Sequence, residues 1–128
     1  MQSYVTRIGL LLALLAGCTK LDTESMFDVP LEGKIFTVDS IKSQQTVKAE
    51  GTATGGPVNV YLYLDKNKAA VQKDILAKKL VSPFIMSKVE GAETFSVEAT
   101  IPANETAVVE VTRAGKPAKV KLHITNKS

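Results

Sequence analysis

From residue 34 onward, apolar and polar positions alternate with a period of two over most of the chain, which is the mark of strands with one buried face. The clearest run sets Val58, Val60, Leu62 and Leu64 against Asn59, Tyr61, Tyr63 and Asp65. The same rhythm places Phe36 and Val38 inward in a strand over 34–41, and Val47, Ala49, Gly51 and Ala53 inward over 45–54. It continues with a short strand over 84–89, then Phe95, Val97, Ala99 and Ile101 over 94–101. Ala107, Val109 and Val111 over 106–113, and Val120, Leu122 and Ile124 over 117–125, complete the set. Turn chemistry separates the runs, at Gly55-Gly56-Pro57, Asp65-Lys66-Asn67-Lys68, Glu90-Gly91-Ala92, Pro102-Ala103-Asn104-Glu105 and Ala114-Gly115-Lys116.

One stretch breaks the period. Val71, Ile75, Leu76 and Leu80 recur at near-helical spacing among Lys73, Asp74, Lys78 and Lys79, so a short helix or irregular crossover is predicted over 69–81, ending at Ser82-Pro83. It follows the tyrosine strand after only four turn residues and is expected to lay those four apolar side chains on the sheet or across the open end of the fold. Two roles for Tyr61 and Tyr63 follow. Covered by this segment they are structural; uncovered they are an aromatic platform for sugars or a protein partner.

About seven strands with closely spaced turns predict a mainly β fold, a single two-sheet antiparallel β-sandwich. The pattern, carried by Val58-Asn59-Val60-Tyr61-Leu62-Tyr63-Leu64, resembles immunoglobulin-like and fibronectin type III-like domains over roughly residues 34–127. The chain has one cysteine and no tryptophan, and the 106–113 strand holds no tyrosine, so a transthyretin-like order is almost as admissible.

The amino-terminal region has a different character. Arg7 is followed by the apolar run 8–16, too short for a membrane span of ~20 residues, and then by Leu15-Ala16-Gly17-Cys18. These four residues resemble the lipobox of bacterial lipoproteins. The resemblance implies a signal peptide over 1–17, cleavage after Gly17, and a diacylglycerol thioether and further acylation on Cys18. It implies a protein anchored in the bacterial cell envelope. By the same resemblance, Thr19 stands where an inner-membrane retention signal would place aspartate, which implies the outer membrane in a source that has one. Two or three acyl chains hold firmly where one holds weakly, at ~0.8 kcal/mol per buried CH₂. The lone cysteine also excludes an internal disulfide.

Residues 18–33 read as a lipidated terminus and acidic linker, because Lys20 stands against Asp22, Glu24, Asp28 and Glu32, whereas residues 34–128 form the domain with 14 basic and 9 acidic side chains. Met26, Phe27, Val29 and Leu31 are apolar enough to dock as a first strand instead. The net basic domain favours anionic surfaces, such as lipid headgroups or anionic polysaccharide, and nucleic acid is set aside for an exported protein. Lys116, Lys119, Lys121 and Lys127 form a stripe, either an anion-binding surface or the lysines of an edge strand that guard against aggregation.

Catalytic patterns are absent from the sequence. His123 is the only histidine, placed among outward lysines, so no histidine cluster can hold a metal. Asp65-Lys66-Asn67-Lys68-Ala69-Ala70 lacks the third ligand and the glycine of a calcium loop. Gly51, Gly55 and Gly56 precede no phosphate-loop lysine, and Asn104-Glu105-Thr106 is a turn that happens to satisfy a glycosylation sequon. Ser82, Ser87 and Ser96 have no histidine base, and Glu90 and Glu93 share one turn rather than facing across a cleft. No cofactor is expected beyond the covalent lipid. The expected function is non-catalytic binding of an envelope polymer or protein, with an accessory, pilotin-like subunit of a secretion or assembly machine as the alternative and a small hydrolase third.

Overall fold

The computed structural model describes residues 20–78 and 82–128. These form the expected mainly β, two-sheet antiparallel sandwich, with eight strands. They are β1 (Asp22–Asp28), β2 (Lys34–Val38), β3 (Gln45–Thr54), β4 (Val58–Leu64), β5 (Ile85–Ala92), β6 (Thr94–Ile101), β7 (Ala107–Arg113) and β8 (Lys119–Lys127). A 3₁₀ turn, Asp65–Asn67, leads from β4 into the helix α1 (Lys68–Leu76). The lipobox residues Leu15, Ala16, Gly17 and Cys18, together with Leu80, lie outside the described residues.

One sheet has the order β1-β8-β3-β6 and the other β2-β7-β4-β5. The pairs β1·β8, β2·β7, β3·β6 and β4·β5 are those of one long hairpin, with its tip between β4 and β5, wound upon itself. That is a jelly roll. An immunoglobulin-like order would pair the first two strands in one sheet, whereas here β1 and β2 lie in opposite sheets, as do β3 and β4. Strand spacing reports how many strands there are and says nothing about their partners, so the expected order is corrected.

The eighth strand comes from the stretch expected to be a linker. β1 pairs with β8 along its whole length, from Asp22↔Thr125 to Asp28↔Lys119, so the sandwich begins at Asp22 rather than at residue 34. Its acidic residues Asp22, Glu24 and Asp28 are exposed, while Ser25 and Phe27 turn inward. Phe27 meets Phe36 of β2 with ring centroids 5.2 Å apart, which joins the two sheets at that edge. At the opposite edge β5 runs into β6 through Glu93, whose carbonyl accepts from the Ala53 amide at 2.7 Å.

Between the sheets lies a core of mainly aliphatic side chains, including Val38, Val47, Val60, Leu62, Phe95, Ile101, Val109, Val120 and Leu122. Gly51, in the middle of β3, marks the closest approach, because a Cβ there would lie 2.0 Å from the Lys121 carbonyl oxygen and 3.0 Å from the Phe95 ring.

A second, smaller cluster sits on the outer face of the β2-β7-β4-β5 sheet. Tyr61, Tyr63, Val71 and Val108 are buried there, with Ile35, Ile75 and Ile85 packed around them. A nine-residue helix is marginal alone, so α1 is held by this packing. It is shorter than the predicted 69–81 segment: Ala77 closes it, and Lys78 turns the chain out with φ of +55°, a left-handed helix ending. Val71 is the inward residue as expected, but Leu76 points away and is 84% exposed. The early exit of the chain at Lys78 leaves Leu76 on the final turn with no sheet beneath it.

Candidate functional site

The structure distributes the sequence-predicted surface residues differently from expectation. Tyr61 and Tyr63 are 4% and 0% exposed, so they form no aromatic platform; α1 covers them. Their hydroxyls still find acceptors: Tyr61 donates to Glu90 Oε2 at 2.7 Å and Tyr63 to Glu110 Oε1 at 2.5 Å. Burial, and then the carboxylate each phenol donates to, push both hydroxyls well above the ordinary tyrosine value. Both stay protonated donors under any physiological condition.

The lysine stripe is also rearranged. β8 lies between β1 and β3, so Lys119 and Lys121 sit on a central strand and guard no sheet edge. Register places Asp28 opposite Lys119, and Met26 and Thr52 on either side of Lys121, while Lys116 stands apart in the β7–β8 turn. The acidic β1 therefore breaks up what the sequence presents as a basic surface. On the same face His123 Nε2 donates to Asp22 Oδ1 at 2.6 Å, and that bond, aided by the charges of Asp22, Glu24 and Glu50, raises the imidazole above its ordinary value. Among the described residues no group of three His, Cys, Asp or Glu is placed to hold a metal.

What the sequence did not reveal is a groove of about 620 Å³ on the helix-covered face. Gln72, Ile75 and Leu76 of α1 form one wall, and Pro30, Glu32, Gly33, Lys34 and Ile35 form the other. Glu110 and Thr112 of β7 supply the floor. Gly33 shapes the second wall: it adopts φ of +92°, its amide donates to the Pro30 carbonyl at 3.0 Å, and a Cβ there would lie 3.1 Å from Thr112 Cγ2 and 3.2 Å from the Val111 carbonyl oxygen. Leu76, one of the lining residues, is 84% exposed, and Leu31, between the lining residues Pro30 and Glu32 in sequence, is 81% exposed.

Glu110 is 4% exposed and, with Asp74, one of two buried charged side chains among the described residues. The alternation of β7 assigns Val108 and Glu110 to the face opposite the core. The sequence signal was the unbroken run Ala107-Val108-Val109, since three apolar residues in succession mean that both faces of the strand are covered.

No protein-family model matches the chain, and no curated protein does. The chain is similar to several solved structures. One is described as "Bacillus endospore appendages form a novel family of disulfide-linked pili", with TM-score 0.48 and 15% identity over 84% of this chain and 86% of that one. Another is the acidic stable capsid of Helicobacter pylori bacteriophage KHP30, with TM-score 0.40 and 9% identity over 85% of this chain and 94% of that one. A third holds the CBM22-1 and GH10 modules of a Clostridium thermocellum endo-1,4-beta-D-xylanase with xylohexaose, with TM-score 0.33 and 10% identity over 80% of this chain but 26% of that one. All three scores lie below 0.5, so no property of those proteins passes to this chain.

Proposed function

We propose that this chain is a lipid-tethered, non-catalytic protein of the bacterial envelope that binds a protein partner through the groove beside α1. The observation that supports it most is the placement of the groove relative to the start of β1. β1 starts at Asp22, four residues after Cys18, so the tether spans no more than ~14 Å at ~3.5 Å per residue. Asp22 pairs with Thr125, and the strand ends on that side of the sheet are Lys127 of β8, Gln45 of β3 and Ile101 of β6. The groove includes the turn before Lys34, at the far end of β1. Its exposed leucines are thus presented away from the lipid surface. Burial of Tyr61 and Tyr63 removes the aromatic platform that would have favoured a polysaccharide, which is why a protein is the proposed partner.

Metabolic labelling with a palmitate analogue tests the tether. The wild type should incorporate label and fractionate with membranes, and Cys18→Ala should do neither. Label that persists in Cys18→Ala would overturn the proposal.

A further inference from the structure

We infer that the groove is a receptor site for a lysine side chain presented by the partner polypeptide, with the ammonium pairing with Glu110 Oε2. The inference rests on the binding role proposed above and adds the chemistry of what is bound. Two tyrosines on one face of β4 each end on a glutamate, and the two glutamates differ in what stands on their other side. Glu90 takes the Tyr61 hydroxyl on Oε2 and has Lys88 Nζ 3.5 Å from Oε1, so a phenol and an ammonium share one carboxylate. Glu110 takes the Tyr63 hydroxyl on Oε1. No ion pair forms at Glu110 among the described residues, although it is the more deeply buried of the two.

A carboxylate taken from water without a cation is costly, and the cost falls when a ligand supplies one. No side-chain oxygen among the described residues is both sealed from solvent and without a partner, so Oε2 remains open to what enters the groove. Gly33 keeps it uncovered: its bare Cα leaves the space in which a Cβ would come within 3.7 Å of Oε2. With Oε1 already accepting from Tyr63, a point-like ammonium fits better than the two-pronged grip of a guanidinium. Ile35, Ile75 and Pro30 line the approach with apolar surface suited to an alkyl stem, and the exposed Leu76 of the groove, with Leu31 exposed between the lining residues Pro30 and Glu32 in sequence, suits apolar neighbours of that lysine. Glu32 adds a second negative charge at the mouth, and two carboxylates without a third ligand do not make a metal site.

The test is isothermal titration calorimetry of the full-length protein in nonionic detergent micelles with the blocked peptide acetyl-Leu-Ala-Lys-Ala-Leu-amide. Its counterpart carries norleucine, neutral and of nearly equal length, in place of lysine. The lysine peptide should saturate and bind at least tenfold more tightly than the norleucine peptide. Glu110→Gln should abolish that difference, and Glu90→Gln should leave it unchanged. Should Glu110→Gln fail to fold, Leu76→Lys alters a fully solvated position and places a competing ammonium in the groove wall; it should weaken the lysine peptide at least fivefold. Equal binding of the two peptides to the wild type, no saturation by either, or wild-type affinity in Leu76→Lys overturns the inference. Saturation by n-hexylammonium without saturation by the peptide also overturns it, by assigning the groove to a free amine. The same titration on Cys18→Ala should give the same result, so failure of the tether and failure of the groove are read separately.

Discussion

Val71 and Leu76 lie five residues apart on one short helix, and their environments are opposite. Val71 is fully buried against the two tyrosines, so Val71→Ala removes two methyl groups from a packed site and should cost about 2 kcal/mol in chemical denaturation. Leu76→Ala should change stability by less than about 0.5 kcal/mol, as expected for a solvated side chain. A similar contrast separates the tyrosines. Tyr63→Phe strips the buried Glu110 of its hydrogen bond and should cost about 2 kcal/mol, whereas Tyr61→Phe leaves Glu90 with Lys88 and water and should cost less than about 1 kcal/mol. Equal losses in the two variants would mean that Glu110 is no more dependent on its tyrosine than Glu90. The sequence carried half of this information: it showed that Val71 belongs inward and that the tyrosines share a face. Which helical residues reach the sheet depends on where the chain leaves the helix, and the left-handed turn falls on Lys78, neither a glycine nor an asparagine that would have marked it in the sequence.

At the scale of elements, β1 is the strand whose attachment titrates. Its first residue accepts the His123 hydrogen bond, and Glu24 and Glu50 stand opposite His123 in register, with Lys48 pairing Glu50 at 3.6 Å on the same face. A raised imidazole pKa in the folded state means that the folded protein binds the proton more tightly than the unfolded chain. The resulting stability is fully present below the ordinary value of 6.5 and is lost as pH rises through the raised folded value. The melting temperature should therefore decline as pH climbs from 6 to beyond neutrality, and Asp22→Asn should flatten that slope. An unchanged slope in Asp22→Asn would remove the bond from the account. β1 was hard to read for the same reason that it titrates: all but Met26 of its outward positions Asp22, Glu24, Met26 and Asp28 are acids, and Ser25 and Phe27 are its only partly buried residues, so its composition mimics a linker. β4, with every inward position aliphatic, was legible at once.

At the scale of the whole molecule, the fold is a set of long-range pairings that local patterning cannot encode. The alternation in β3 and β8 is visible in the sequence, but that Ala49 lies beside Ile124 and Val97 is decided only when the hairpin of strands winds up. Given the proposed tether at Cys18, the winding would also set which end of the molecule faces the membrane. Turns 39–44 and 102–106 and the last residues of β8 gather at the end where β1 begins, joined there by the Asn104 amide donating to the Ile41 carbonyl at 2.8 Å and by Asn126 Nδ2 donating to Gln45 Oε1 at 2.8 Å. Turns 29–33 and 114–118 gather at the other end, where the Val29 amide donates to the Ala118 carbonyl at 2.9 Å. A ten-residue strand such as β3 separates the two ends by ~33 Å. With the chain anchored through Cys18 as proposed, a fluorophore on Ala103→Cys should be strongly quenched by headgroup spin-labelled lipid in vesicles, and one on Leu31→Cys should be nearly unquenched. Both positions are exposed, and on that proposal the lone native cysteine carries lipid, so each label reports a single site. Equal quenching at the two positions would mean that the sandwich lies along the membrane with the groove near the headgroups, and the partner would then have to be sought within the bilayer surface rather than beyond it.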